Sequence, residues 1–299
     1  MEPVYHIPAM LKETLDALSI QKNGLYVDLT FGGGGHSRAI MERLGPNGRL
    51  YSMDQDQEAQ QNAIDDKRWH FIHGNFRYLD NYLGYYNLNE VDGFLADLGV
   101  SFHHFDTAER GFSFRFDGPL DMRMNRQGGK TAAQIVNEYE EQDLARVLYL
   151  YGELKNSRAL AHKICLARTQ KPIETTGELL HVLGYEDIEG HKKVLAPVFQ
   201  ALRIEVNDEL GALRNMLETA RDYLKPGGRL VVLTYHSLED RIVKNFLRSG
   251  NLDGEIEKDF YGNNLSPFKL IAKGDTASEA EIAQNPRARS AKLRAAEKL

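Results

Sequence analysis

The chain has 299 residues, 42% of them hydrophobic and 27% charged, with a net charge of −6 and a single cysteine. That length supports one large domain or two modest ones; no apolar run reaches the ~18 residues of a membrane span and no basic-then-apolar leader opens the chain, so a cytoplasmic protein is expected. The lone Cys165 excludes an internal disulfide and a cysteine-based metal cluster, and the acidic balance argues against a protein that coats nucleic acid through a broad cationic surface.

From Pro8 a helical pattern places Met10, Leu11, Thr14, Leu15 and Leu18 on one face, with proline tolerated in the first turn because its missing N–H had no partner there. Tyr26, Val27, Leu29 and Phe31 then have the character of a buried strand, which ends in four glycines, Gly32 to Gly35. His36 to Leu44 reads as a helix closed by Gly45-Pro46, and Leu50 to Asp54 as a second strand ending in a carboxylate. Trp69–His73 is a third strand and Val91–Asp97 a fourth, with short helical segments between. This alternation predicts an α/β fold built on a doubly wound, mostly parallel sheet.

Residues 98 to about 130 lose the alternation and are rich in Gly, Phe, Asp and Arg; an irregular stretch of that length is expected to be functional. Thr131 with Gln134 forms a capping box, after which Leu144, Val147, Leu148 and Tyr151 recur at helical spacing up to Gly152. Ser157–Thr169 repeats the pattern, and Thr176 is expected to cap a short helix ended by Gly184. Asn207–Leu224 is amphipathic, Arg229–Tyr235 reads as a fifth strand and Pro267–Lys273 as the last. The expected organisation is therefore residues 1–105 as the first part of the α/β domain, 106–205 as a helical, substrate-recognising insertion, and 206–299 as the second part with a basic C-terminal tail.

Three cofactors compete for the glycine loop. A P-loop needs Lys-Ser/Thr after the glycines, and His36-Ser37-Arg38 stands there instead. A dinucleotide fingerprint wants a third glycine where Ser37 lies, which weakens NAD without excluding it. S-adenosylmethionine has no pyrophosphate, needs only close backbone approach, and leaves Asp54, about 20 residues past the glycines, to grip ribose hydroxyls. Asp97, at the end of the fourth strand, would face the same crevice. Spacing favours the methyl donor. Asp54 also has a plainer reading as a helix cap, and His36 as a turn residue.

Several stretches together resemble the bacterial 16S ribosomal RNA cytosine-N4 methyltransferase family along nearly the whole chain. They are Tyr5-His-x-Pro8, Thr30-Phe-Gly-Gly-Gly-Gly-His-Ser37, Asp97-Leu-Gly-Val-Ser101, Glu109-Arg-Gly-Phe-Ser-Phe114, Leu120-Asp-Met-Arg-Met124, Phe199-Gln-Ala-Leu-Arg-Ile-Glu-Val-Asn207, His236-Ser-Leu-Glu-Asp-Arg241 and Asn285-Pro-Arg-x-Arg-Ser-Ala-Lys292. The resemblance implies a Rossmann-like class I methyltransferase that moves a methyl group from S-adenosylmethionine to the exocyclic N4 of a decoding-region cytosine. It also implies 16S rRNA, in the small subunit or its precursor, as partner. Cofactor contacts carry over to Gly34, Gly35, His36, Asp54, Phe76 and Asp97. A further one falls on His104, where the family typically has Gln, and an Arg often found before Phe199 is replaced by Ala196-Pro-Val198.

Methylation at N4 is a displacement in which the amine needs alignment and an acceptor for its proton. Asp97 is the candidate acceptor, and Tyr235 and His236, ending the neighbouring fifth strand, are further catalytic candidates. Phe112, Phe114 and Tyr235 could stack on an extruded base, or the two phenylalanines could simply plug a core. Arg110 and Arg123 in the irregular stretch, and Arg287, Arg289 and Lys292 in the tail, are candidate RNA contacts. His70 and His73 point to opposite faces of a strand, so no metal site is expected. A same-fold enzyme acting on DNA or a small molecule, a non-catalytic cofactor-binding assembly protein, and the choice between monomer and homodimer stay open.

Overall fold

A computed structural model describes residues 8–99, 107–185 and 188–299. They fall into two compact units, one formed by the chain up to Gly99 together with Leu210–Leu299 and the other by the chain between them, ending at Glu209.

The first unit is built on a seven-stranded sheet of order β3-β2-β1-β4-β5-β7-β6. Its strands are β1 (Leu25–Asp28), β2 (Arg49–Asp54), β3 (Trp69–His73), β4 (Val91–Asp97), β5 (Leu224–Thr234), β6 (Phe268–Thr276) and β7 (Lys292–Lys298). The pairings β3-β2, β2-β1, β1-β4 and β4-β5 are all parallel; β7 runs antiparallel to both β5 and β6. Helices cover both faces, which explains why Tyr26–Val27, Phe94–Ala96 and Leu230–Leu233 are continuous buried apolar runs rather than alternating. Val27, Phe94 and Val232 sink into one core, and Tyr26, Leu95 and Leu233 into the other. Strand order reverses at β1, whose neighbours are β2 and β4, so the crevice beyond the ends of these strands is where this fold takes a ligand. The doubly wound sheet expected from the sequence is present.

The C-terminal segment departs from expectation. Residues 292–298 are not a solvated tail but a strand hydrogen-bonded on both sides, with Val232 opposite Arg294 on one flank and Lys273 on the other. The reason is the run Leu293, Ala295 and Ala296, all buried, which the surrounding cations mask in the sequence. Arg294 is itself buried and clamps Asp240, with Nε to Oδ1 at 2.6 Å and Nη2 to Oδ2 at 3.1 Å.

The second unit is helical: Ala132–Glu138, Glu141–Gly152, Ser157–Arg168, Thr176–Leu183 and Ile188–Asn207 pack around Leu144, Leu148, Leu160, Ile164, Leu179, Leu195 and Leu202. Thr131 and Gln134 form the expected capping box, but the next box belongs to Thr175 with Glu178. Thr176 is instead buried, its hydroxyl donating to the Phe116 carbonyl at 2.9 Å. Residues 107–130 hold little regular structure yet are laced to the helices. Leu120 N–H donates to Glu174 O (2.8 Å), Ala132 N–H to Asp121 O (2.8 Å), and Asn207 both receives Met124 N–H and donates to Met122 O at 2.8 Å. No described helix is long and apolar enough to cross a membrane.

Candidate active site

Every strand that borders the switch point ends in a polar residue: β1 in Asp28, β2 in Asp54, β4 in Asp97 and β5 in Thr234. The glycine loop leaves β1 and enters the Gly35–Arg43 helix through Gly34, whose φ of 76° is the left-handed conformation that favours glycine. A Cβ on Gly34 would meet the Phe31 ring at 2.9 Å, and one on Gly35 would meet Pro8 Cγ at 2.4 Å, so this helix start cannot carry side chains. At Gly33 a Cβ would meet nothing within 4 Å, so the loop also has an open side.

Asp54 holds the loop. Its Oδ2 accepts the Gly32 N–H at 2.7 Å and its Oδ1 accepts the Asp56 N–H at 2.8 Å. Helix capping, the plainer reading of Asp54, belongs to Asp56, which accepts the Glu58 N–H. On the far side of the loop, Arg38 donates to Gly33 O (2.9 Å) and Asn62 to Gly32 O (3.0 Å).

Beneath the loop lies a buried relay that the sequence reading missed. Trp69 Nε1–H donates to Ser52 Oγ (2.9 Å), Ser52 and Ser37 hydroxyls are 2.7 Å apart, and Ser37 Oγ–H donates to Asp28 Oδ2 (2.6 Å). Each hydroxyl has one hydrogen to give, so the chain runs one way, from the indole to the carboxylate. Burial pushes the Asp28 carboxyl up, against the Ser37 hydrogen bond and the nearby His36. Asp28 was legible as the only charge in an otherwise apolar strand, a signal applied to Asp97 and not to it.

Asp97 is the junction of the site. Its N–H donates to Thr30 Oγ1 at 2.7 Å, its Oδ2 lies 3.7 Å from His36 Nδ1, and its carboxylate accepts the Tyr235 hydroxyl. Burial, with the charges of Asp97 and Glu239 beside it, holds the Tyr235 phenol well above its ordinary range, so it stays a neutral donor. His36 is 5% exposed, and its Nε2 has no hydrogen-bond partner among the described residues. Buried nitrogens are ordinarily satisfied, so this atom is open to a partner beyond the described residues.

His236 has a different setting. It caps the Ser237–Ser249 helix by accepting the Glu239 N–H at 3.5 Å, and its Nε2 is 2.9 Å from Glu239 Oε1. Glu239, buried, also accepts the Tyr235 N–H at 3.0 Å. Glu239 was therefore missed as the residue that ties both partners together. Phe76 opens a turn after β3 and is half-buried against the core; Asn75 caps that turn by accepting the Arg77 N–H at 2.8 Å.

The residues expected to meet RNA fare differently. Phe112 is 3% exposed and is a core group of the helical unit, while half-buried Phe114 packs against that core, edge-on to Phe199 at 5.4 Å. Arg110, 2% exposed, donates to the Arg123 and Met124 carbonyls at 3.2 Å; burial takes it off the surface. Arg123 is bidentate to Asp121, its Nε 2.7 Å from Oδ1 and its Nη2 3.0 Å from Oδ2. Lys292 sits at the head of β7, 3.6 Å from Asp240, and Arg289 is exposed. His104 and the side chain of Arg287 lie outside the described residues.

A doubly wound sheet closed by an antiparallel β7, with a glycine loop and strand-end carboxylates at its switch point, is the arrangement of a class I methyltransferase. The chain belongs to the MraW methylase family, whose sequence profile matches residues 3–299. It is 58% identical over 299 residues to the ribosomal RNA small subunit methyltransferase H of Bacteroides fragilis (strain YCH46), covering 99% of this chain and 98% of that one. It is 55% identical over 305 residues to the protein of the same name from Porphyromonas gingivalis (strain ATCC 33277), covering 100% of this chain and 98% of that one.

Proposed function

We propose that this protein is an S-adenosylmethionine-dependent methyltransferase that modifies the exocyclic N4 of a cytosine in the decoding region of 16S rRNA, working in the cytoplasm. The observation that carries the proposal is Asp97: a carboxylate at the end of β4, beside the glycine loop, oriented by the Tyr235 hydroxyl and backed by His36. Full-length kinship with proteins named as small-subunit rRNA methyltransferases supplies the substrate class.

The residues present suit the methyl donor. The open side at Gly33, the unpartnered Nε2 of His36 and the Asp54 carboxylate offer backbone, one nitrogen and a hydroxyl-binding acid within a single loop. Gly34, Gly35, His36, Asp54, Phe76 and Asp97 are the residues assigned to hold it. When bound, S-adenosylmethionine supplies a methyl group already activated by its sulfonium.

Asp97 accepts a hydrogen of the cytosine amine, orients the nitrogen lone pair and takes the proton that nitrogen must lose. Tyr235, kept neutral by burial beside Asp97, donates to the carboxylate and orients it. His236 acts at one remove, because Glu239, whose Oε1 lies 2.9 Å from the His236 Nε2, accepts the Tyr235 backbone N–H.

Incubation with methyl-labelled S-adenosylmethionine and either free 16S rRNA or assembled small subunits, followed by mapping of the labelled nucleotide, tests the proposal. Label on the N4 of one cytosine is expected, and the arm that labels faster identifies the working substrate. Label confined to another base, or none in either arm, would refute it.

A further inference from the structure

Arg110 and Phe112 are buried, Arg123 is tied to Asp121, and a different stretch has the properties expected of an RNA contact. Between Leu154 and Ile173 the chain carries Lys155, Arg158, Lys163, Arg168 and Lys171, with His162 among them, and no carboxylate at all. In a protein of net charge −6 this is a marked local excess.

The Ser157–Arg168 helix sorts these residues by face. Leu160, Ala161 and Ile164 turn inward and are buried, whereas Arg158, Ala159, His162, Lys163 and Leu166 are exposed. At 1.5 Å per residue the exposed face is about 18 Å long, and Lys155 and Lys171 extend it at either end.

What these cations touch matters more than their number. His162 lies 3.2 Å from Glu141 and Lys171 lies 2.5 Å from Glu178. Lys163 donates to Leu183 O at 3.3 Å and Arg168 to Val136 O at 2.8 Å, contacts that leave the charge uncompensated. Lys155 and Arg158, whose side chains are exposed, have no ion pair or hydrogen bond among the described residues.

We infer that the exposed face of the Ser157–Arg168 helix binds the phosphate backbone of the RNA substrate, an inference that rests on the rRNA reading above. A polyanion is the occupant that suits a face on which Lys155 and Arg158 are free, Lys163 meets only a backbone carbonyl, the helix itself bears no carboxylate and Leu166 is the one exposed large apolar residue. A lipid surface would ask for a row of apolar side chains, which this face lacks.

The test uses the full chain with Lys155→Gln, Arg158→Gln and Lys163→Gln combined, a charge-conserving variant (Lys155→Arg, Arg158→Lys, Lys163→Arg), and 16S rRNA titrated over a salt series. The glutamine variant is expected to bind rRNA roughly tenfold more weakly at low salt, with a log–log salt slope shallower by about 2. Its KM for RNA should rise while kcat, cofactor affinity and the urea midpoint hold, and the charge-conserving variant should behave as wild type.

Wild-type binding and methylation with an unchanged glutamine variant would overturn this surface alone. Equal losses in both variants would point to shape or an acidic protein partner and overturn it as well. A wild-type protein that neither binds nor methylates rRNA would overturn both this inference and the function on which it rests.

Discussion

Two stretches of the chain each hold five lysines and arginines, Arg287 to Lys298 and Lys155 to Lys171, and the structure uses them in opposite ways. In the C-terminal stretch, Leu293, Ala295 and Ala296 pull the backbone into the sheet, and Asp240 compensates two of the cations, Arg294 at 2.6 Å and Lys292 at 3.6 Å. In the helical stretch, Leu160 and Ile164 recur at helical spacing, bury one face and leave the cations outside. A basic run is thus an RNA surface only if its apolar residues let the charges point outward and no carboxylate elsewhere claims them. Asp240, 54 residues away from Arg294 in sequence, does claim them in the first case.

Arg294→Met should break this contrast most strongly. It strips the partner from a carboxylate whose side chain is only 14% exposed, and a loss of about 3–5 kcal/mol in urea unfolding is expected, with no change in the RNA salt slope of the folded protein. A loss below about 1 kcal/mol would show that the pair is not what anchors β7.

Phe112→Ala comes next, at about 3 kcal/mol or more, because it empties a site in the helical core. Stability close to wild type with selective loss of RNA binding would return Phe112 to the substrate surface.

The acid side of the stability profile sharpens the same point. Burial works to raise the Asp240 carboxyl, but the Arg294 hydrogen bonds and the charges of Arg294 and Lys292 outweigh it and the net shift is downward. Because the folded pKa is depressed, the pair's stabilisation is fully present above the ordinary Asp value, near pH 4, and is lost as pH falls through the folded pKa. Urea midpoints measured from pH 6 downward should therefore fall less steeply in Arg294→Met than in wild type. Identical slopes would contradict the assignment.

The smallest effect belongs to Arg289→Gln. An exposed cation on the sheet-bearing unit should change stability by no more than about 0.5 kcal/mol, and RNA affinity less than the glutamine substitutions on the insertion helix do. The reverse ranking would restore the C-terminal segment as the RNA contact.

The fold was legible because the parallel strands β1 to β4 are short apolar runs with a carboxylate or a glycine at or just past their ends; β2, β3 and β4 begin and end within a residue of expectation, whereas β1 stops at Asp28, short of the expected Phe31. β7 was hidden because six of its seven residues are charged or alanine, which masks the apolar pattern a strand is read from. The loop, Asp54 and Asp97 could be singled out by position alone. Their wiring could not: Thr30 to Asp97 spans 67 residues and Ser37 to Ser52 spans 15, contacts that only strand pairing creates. The same limit explains Arg110 and Phe112, whose neighbours in sequence are polar and whose burial comes from helices that follow much later.

The central claim is that Asp97 handles the amine at the end of β4, and single-turnover methylation of 16S rRNA by Asp97→Asn tests it most directly, with cofactor affinity measured alongside by calorimetry. The asparagine keeps the shape and the Thr30 backbone contact but cannot take a proton. Turnover is expected to fall by roughly 100-fold or more while the cofactor still binds within a few-fold of wild type. Full turnover at matched cofactor occupancy would contradict the account.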